Sequence, residues 1–508
     1  MTLSHRKRVY LSLVHGMARP SPENLAVIIA IAALMLLFGG APLGLAIPVG
    51  LLVWILAATC RGSLPRFAGT LRALLCLYPL HIGIIQYSYW SSGQQGIDFG
   101  IFSQLIYQVA EHNRFMTSLI STEWQNFITH HFSPFLILLG GVAKLGVSAE
   151  VTLISAHVIA VAFLIWGVLS LGRTKGAPLD ALLLTAIALV LPGVRRALGW
   201  ETHDEVLALP FIVWSLVAHL KGRTTLRLLL LFPPLLFKET FGLVMCTTAI
   251  GYLIADLFDT TNGTQWTRRS ARLVALSGLF FFMLVTQVLP GWLWVSTFDP
   301  TTRLANLHEL VDIQLLKLKA RWLLATFLPG LPFVFLHTRE TVRTSLILLS
   351  PALYNIAAIM STNFIHMLDP YNYYSISPAI LGLCAISLPV LRHPKTSLAI
   401  LCSLSLAVVC GNTVRSSKII GRALSAPAVY DEIRVFVPRQ SAVIVDDYTA
   451  SVLADNDYLQ RVYHARRTRT EFDYIVTAKS TPEHLSETLK NRSVPCHETP
   501  RYQIRCRR

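Results

Sequence analysis

The stretch ALLCLYPLHIGIIQYSYWSSGQQGIDFGIFSQLIYQVAEHNRF, residues 73–115, decides the fold class. Residues 73–90 hold no Asp, Glu, Lys or Arg, and 18 such residues come close to the 20 or so that cross a bilayer core as one helix. From Asp98 onward, Ile101, Leu105, Ile106 and Val109 fall on one face, the pattern of an amphipathic helix lying at a membrane interface. A span followed by a loop, residues 91–126, with its own interfacial helix is therefore expected.

Working outward, apolar runs of 15 to 24 residues recur from Leu25 to Asn412, and the short stretches between them hold most of the Lys and Arg. The 508 residues are 53% hydrophobic and 14% charged, with a mean hydropathy of +0.53, against about 25% charged in soluble domains. A soluble enzyme is excluded, and the fold class is an all-α polytopic membrane protein. The formal charge of +16 sits mostly in loops between spans, where it sets topology and meets anionic membrane lipids. No nucleic-acid partner follows from it. HRKR at 5–8 is followed by the broken stretch VYLSLVHGMARP, so the first apolar run reads as a retained span rather than a signal peptide.

Taking cations as cytoplasmic markers puts residues 1–24 inside, with spans near 25–39 and 42–60 returning to Arg61, Arg66 and Arg72. The span at 73–90 then carries Asp98 outside. Arg173 with Lys175, Lys221 with Arg223 and Arg227, Arg268 with Arg269 and Arg272, Arg339 with Arg343, and Arg392 with Lys395 mark five further inner loops. WETHDE at 200–205, FKET at 237–240, residues 296–320 and FIHMLDPYNYY at 364–374 all fall on the side of Asp98. Parity makes 127–147, interrupted by Pro134, a re-entrant element, and gives about thirteen spans ending near 412. The location expected is the inner (plasma) membrane, with residues 413–508 extracytoplasmic. That tail carries 16 Lys and Arg and 11 Asp and Glu with no long apolar run, and IVDD, DYIV and TPEHLSETLK read as two strands and a helix of a small α/β domain. Cys496 and Cys506 flank HETPRYQIR and could close a hairpin disulfide there; the other six cysteines lie in or beside spans as small core residues.

Polar groups beside apolar spans are costly, so their gathering on one side is the informative signal. Asp98 is a candidate cap of the interfacial helix and, without excluding that, a candidate base or acceptor-orienting group. His130 and His131 head an apolar run and cannot both point the same way on a helix. Glu201, His203, Asp204 and Glu205 directly precede a span as a dense ionisable group. Lys238 and Glu239 end the short run LLLLFPPLLFKET, whose prolines break helix geometry, and are candidates for an internal ion pair. His366 and Asp369 stand among tyrosines of an aromatic belt. Outer-side cations, Arg195, Arg196, Lys238, Arg303, Lys317, Lys319 and Arg321, suit an anion such as a lipid-linked phosphate. A divalent ion could be held through Asp98, His203, Glu205 or His366. No P-loop, dinucleotide-binding, zincin or nucleophile-elbow motif occurs.

DFGIFSQ, HHFSPFLILLG, ETHDEVLALPF, LLFKETFGL, and SPALYNIAAIM followed by HMLDPYNYYSISPAI resemble, in this order, a family of polytopic prokaryotic membrane proteins of unknown function. That family is similar in architecture to the GT-C glycosyltransferases, which transfer a sugar from a polyprenyl-phosphate donor and use an acidic residue of the first outer loop as base. The resemblance implies a lipid-linked sugar donor and Asp98 as the catalytic base of an inverting transfer. It implies His130, His131, His203, Glu205, Glu239 and His366 as pocket residues, and Lys238 or Arg196 on the donor phosphate. The first outer loop has DFG in place of the paired acidic motif common in GT-C members. The competing reading is a transporter or lipid flippase with His203, Glu205, Lys238 and Glu239 along its path; a third is an assembly factor acting through the tail.

Overall fold

The computed structural model describes residues 64–507 except for several stretches, of which 289–312, 362–372 and 404–428 are the longest. The N-terminus, the expected spans near 25–39 and 42–60, most of the expected final span, and Cys60, Cys402 and Cys410 lie outside the described residues.

Helix α1, Leu64–Ser91, is 28 residues long, about 42 Å at 1.5 Å per residue. Leu71, Leu75, Tyr78, Ile82, Ile85 and Tyr89 are buried at alternating spacings of three and four, while Leu77, Leu80, Ile84 and Tyr87 on the other face are more than half exposed. An apolar stripe left open on that scale suits contact with lipid tails. The loop after α1 carries α2, Ile97–His112, and a two-stranded antiparallel ribbon, β1 (Met116–Thr117) with β2 (Gln125–Asn126). Helix α3, Phe135–Ala143, has nine residues and begins after Pro134; at about 13 Å it is too short to cross a bilayer.

Helix α4, Ala149–Lys175, is capped by Ser148, whose side chain accepts from the Val151 N–H, and ends on Arg173 and Lys175, charges that complement its dipole. A bent pair follows, α5 (Pro178–Val190) and α6 (Pro192–Gly199), then α7, Asp204–Leu220, and the short α8, Thr224–Leu229. The proline-broken run becomes a 3-10 turn, Pro233–Leu236, leading into α9, Phe241–Phe258. Helix α10, Gln265–Met283, packs on α9 where Gly242 meets Gly278: a Cβ on either would lie 2.5–2.6 Å from the other's carbonyl oxygen. Helices α11 (Ile313–Phe327), α12 (Arg339–Leu349), α13 (Leu353–Ser361) and α14 (Ile376–Ser387) complete the described helical part.

By length and apolar composition, three described segments can cross a membrane, Ala149–Lys175, Gln265–Val288 and Glu340–Ser361, and the bent α5–α6 pair makes a fourth. Of the other expected crossings, the one near 73–90 lies within the unbroken α1, those near 25–39 and 42–60 fall outside the described residues, and the described residues also hold shorter apolar helical segments, Thr224–Leu236, Phe241–Leu257 and Ile376–Val390.

The C-terminal part begins with α15, Val429–Arg434. Its five-stranded sheet has the order β4-β3-β5-β7-β6, with β3 (Ala442–Val445) parallel to β4 (Tyr458–Arg461) and β5 (Tyr474–Ala478). Strand β7 (Tyr502–Arg507) runs antiparallel to β5 and to β6 (Ser493–Glu498), and a Cys496–Cys506 disulfide ties this hairpin. Between β3 and β4 lies the short α16, Thr449–Val452, and before β6 lies α17, Glu487–Asn491. Alternation sorts the strand side chains: Ile444 and Ile475 pack with Phe472 and Leu489 on one face, whereas Val443, Val445 and Val476 share a core with Phe99 and Leu105 of α2. Residues 463–470 and the start of the expected tail helix lie outside the described residues.

Two expectations about α2 are corrected. It does not lie open at an interface: Phe99 through Ile106 are all buried, because α3 and α4 cover one side and the C-terminal sheet the other. Asp98 is not its cap either, since the helix starts at Ile97 with Gly96 in the capping position.

Candidate functional site

The site grows from the short stretch 200–203 between α6 and α7. This stretch is not helical, and it holds Glu201, Thr202 and His203 buried beside the start of α2. Glu201 Oε2 accepts from the Phe99 N–H at 3.3 Å, taking up a free amide of the first turn of α2. Gly96 allows this approach, for a Cβ there would sit 2.4 Å from Glu201 Oε2. His203 stands between two carboxylates, with Nδ1 3.6 Å from Asp98 Oδ2 and Nε2 3.5 Å from Glu201 Oε1.

Two further polar pairs adjoin. Lys238 Nζ donates to Glu205 Oε1 at 3.0 Å and lies 5.7 Å over the Tyr374 ring. Glu239 accepts from the Phe132 N–H at 3.1 Å and meets His131 Nδ1 at 3.1 Å. Ser133 Oγ donates to Asp204 Oδ1 at 3.2 Å. Lys238 and Glu239 therefore do not pair with each other, as was a sequence expectation; adjacent side chains in the turn before α9 diverge, one toward α7 and one toward 131–132. The starts of α2, α7 and α9 are thereby brought together, and with them the positive ends of three helix dipoles.

The side chain of Asp98 is 37% exposed, whereas those of Glu201, Glu205 and Glu239 are 5–12% exposed. Desolvation in the crevice and then the Glu201 charge hold the Asp98 pKa above the usual carboxylate value, against opposing pulls from His203, Lys238 and His131. Burial disfavours charge on His203, but the hydrogen bond and charge of Glu201, with Asp98 and Glu205, raise its pKa and favour the imidazolium. Burial would likewise raise Glu239, yet His131 and Lys238 bring it down to about 2. Lys238 is held well above its usual value by Glu205, Tyr374, Asp204 and Glu239 despite its burial.

Asp98, Glu201 and His203 each bring a ligand atom, all within 4.8 Å of one another, and two oxygens with one imidazole nitrogen suit a divalent cation. The raised His203 pKa puts a proton where the cation would bind, so binding must displace it.

Of the residues singled out in the sequence, the structure gathers Asp98, His131, His203, Glu205, Lys238 and Glu239. His130, His366, Asp369 and Arg303 lie outside the described residues. Arg196 is exposed and stacks over Trp200, 5.5 Å from its ring, instead of joining these hydrogen bonds. Lys317 and Arg321 are exposed on α11, while Lys319 is buried one turn before Trp322, whose Nε1 donates to Ser375 beside Tyr374. The sequence assigns no separate role to Glu201 or Ser133; Glu201 is legible as part of WETHDE, but Ser133 carries no signal until 131–133 is folded against α7.

No curated protein matches the chain. Among solved structures it is similar to ArnT from Cupriavidus metallidurans bound to undecaprenyl phosphate, at 9% identity over 84% of this chain and 97% of that one, TM-score 0.49. It is also similar to the oligosaccharyltransferase AglB from Archaeoglobus fulgidus in complex with an inhibitory peptide and a dolichol-phosphate, at 12% identity over 79% and 69% of the chains, TM-score 0.40. With residues 90–497 matched to it, the chain belongs to the membrane-protein family described as "Predicted membrane protein (DUF2079)".

Proposed function

We propose that this protein is an integral membrane glycosyltransferase that moves a sugar from a polyprenyl-phosphate donor to a cell-envelope acceptor on the outer face of the plasma membrane. The observation that carries it is Asp98: among the described residues, the solvent-open carboxylate of a cluster whose other acids are buried and paired. Beside it stand Lys238 and the N-termini of three helices, groups of the kind that hold a phosphate. A base beside an anion site is what displacement of a phosphate by a hydroxyl requires. The donor class comes from the architectural similarity of the family that shares the ordered motifs to the GT-C transferases.

In a single inverting displacement, the acceptor oxygen forms a bond to the anomeric carbon, Asp98 takes the hydroxyl proton, and the lipid phosphate leaves with the electrons of the broken bond. The imidazolium of His203 keeps Asp98 ionised and oriented through the 3.6 Å contact, with Glu201 behind it. Lys238, steered by Glu205, faces the departing charge. A bound divalent cation would add Lewis-acid stabilisation of the phosphate. About thirteen crossings, a cytoplasmic N-terminus and an extracytoplasmic domain over 413–508 belong to this reading.

The test is transfer of label from radiolabelled polyprenyl-phosphate sugars by the purified protein in native lipids. Asp98→Asn is expected to lower the rate by about 10²–10⁴-fold, the usual worth of a general base, with insertion and melting unchanged. Normal transfer by Asp98→Asn overturns the mechanism, and lipid flux without label transfer by wild type replaces it with a flippase.

A further inference from the structure

The eight residues from Gly93 to Gly100 carry Asp98, and both ends of this segment are held by the C-terminal sheet domain, more than 340 residues away in sequence. At the first end, Tyr502 of β7 donates its hydroxyl to the Gly93 carbonyl at 3.2 Å, its ring buried. Gly93 has φ +64°, and a Cβ there would lie 2.0 Å from that hydroxyl, so backbone conformation and close approach both demand glycine. At the other end, Gly100 rests on α16: a Cβ would lie 3.0 Å from the Ala450 carbonyl carbon and 3.1 Å from the Ser451 nitrogen. Between the ends, Glu201 takes the Phe99 N–H.

A second tether runs through α2 itself. Gln104 Oε1 accepts from Thr117 Oγ1 at 2.6 Å and from the Ser118 N–H at 3.2 Å. Ser118 in turn bonds the edge strand β4, donating to the Leu459 carbonyl and accepting from the Leu459 N–H. Phe99 and Leu105 share one apolar core with Val443, Val445 and Leu459.

We propose that Tyr502 and Ser118 are positioning residues for Asp98, and that the C-terminal domain acts as the clamp that presses its segment against Glu201 and His203. The inference rests on Asp98 as base for its catalytic consequence, but the clamp is measurable without it. One hydrogen bond of ordinary strength corresponds to about a fivefold change in a local opening equilibrium. Amide exchange of residues 95–103 in full-length protein in nanodiscs is expected to quicken about fivefold in Tyr502→Phe, which loses one hydrogen bond, and by more than that in Ser118→Ala, whose hydroxyl makes two bonds to Leu459, with α4 unchanged. Both variants are expected to lower kcat for transfer several-fold while the donor KM stays constant, because the donor phosphate is held by other residues. Unchanged exchange at 95–103 in both variants overturns the clamp, as does a raised KM with kcat intact. If wild type transfers no sugar, the functional reading fails alone and the exchange measurement still decides the clamp.

Discussion

Asp98, Glu201 and His203 form a chain of two carboxylates about one imidazole, and their charges are coupled. The Asp98 pKa is raised by burial and by Glu201, so its carboxylate form appears only at higher pH than for an ordinary carboxylate, and if Asp98 is the base as proposed, transfer is expected to be lost as pH falls through that raised value. His203 opposes the rise. Replacing it by glutamine removes the positive charge and leaves Glu201 uncompensated, and both changes favour protonated Asp98. The acidic limb of the pH–rate profile is therefore expected to move to higher pH in His203→Gln, measured as kcat/KM against pH in buffers of constant ionic strength. A limb that stays in place or moves down contradicts the coupling. The acids themselves were legible in WETHDE and GIDFG, because ionisable residues beside apolar runs are costly enough to need a reason. Their partners were not: His131 with Glu239 and Lys238 with Glu205 are pairs across 108 and 33 residues of sequence, and hydropathy has no information on such distances.

At the scale of elements, the apolar runs gave α4 and α10 directly, whereas LLLLFPPLLFKET became a short helix and a 3-10 turn because two prolines remove donors in succession. The closeness of α9 and α10 depends on single atoms. Gly242 and Gly278 each face the other's carbonyl, an arrangement that lets two helix backbones approach in a membrane. Gly278→Val puts a branched side chain into that contact and is expected to destabilise by about 1–3 kcal/mol, as overpacking does. Thermal unfolding in detergent measures it, and an unaltered melting temperature would rule out the close crossing. Helix α2 marks the limit of reading by period: its apolar face was evident, but Ser103, Gln104 and Gln108 are buried as well. A polar face reads as solvent-exposed until another domain covers it.

Across the whole molecule, α7 runs from the Asp98 cluster to a second polar group at its far end, about 24 Å away over 17 residues. There Arg227 pairs with Asp256 and meets His219, Arg268 donates to the Asp256 carbonyl and Arg343 to that of Ala255. An apolar band between two polar ends is the arrangement a bilayer imposes. The C-terminal domain stands apart in its means of support, with a hairpin disulfide closing a separation of 10 residues. Cys496→Ser with Cys506→Ser is expected to lower that domain's stability by about 3 kcal/mol through chain entropy, read by urea-dependent proteolysis of the tail. Equal resistance of variant and wild type would refute it.

The sequence by itself determined that the chain lies in a membrane, that a small α/β domain ends it, and which acids and cations are candidates for chemistry. These follow from transfer free energies and local periodicity, properties that each residue carries with its immediate neighbours. Only the tertiary structure decided that Glu201 backs His203, that Lys238 turns to Glu205 instead of Glu239, and that Tyr502 reaches Gly93. Those are contacts between segments far apart in the chain, fixed by helix crossing and domain docking, where placements a few ångströms apart have the same local sequence pattern and different chemistry.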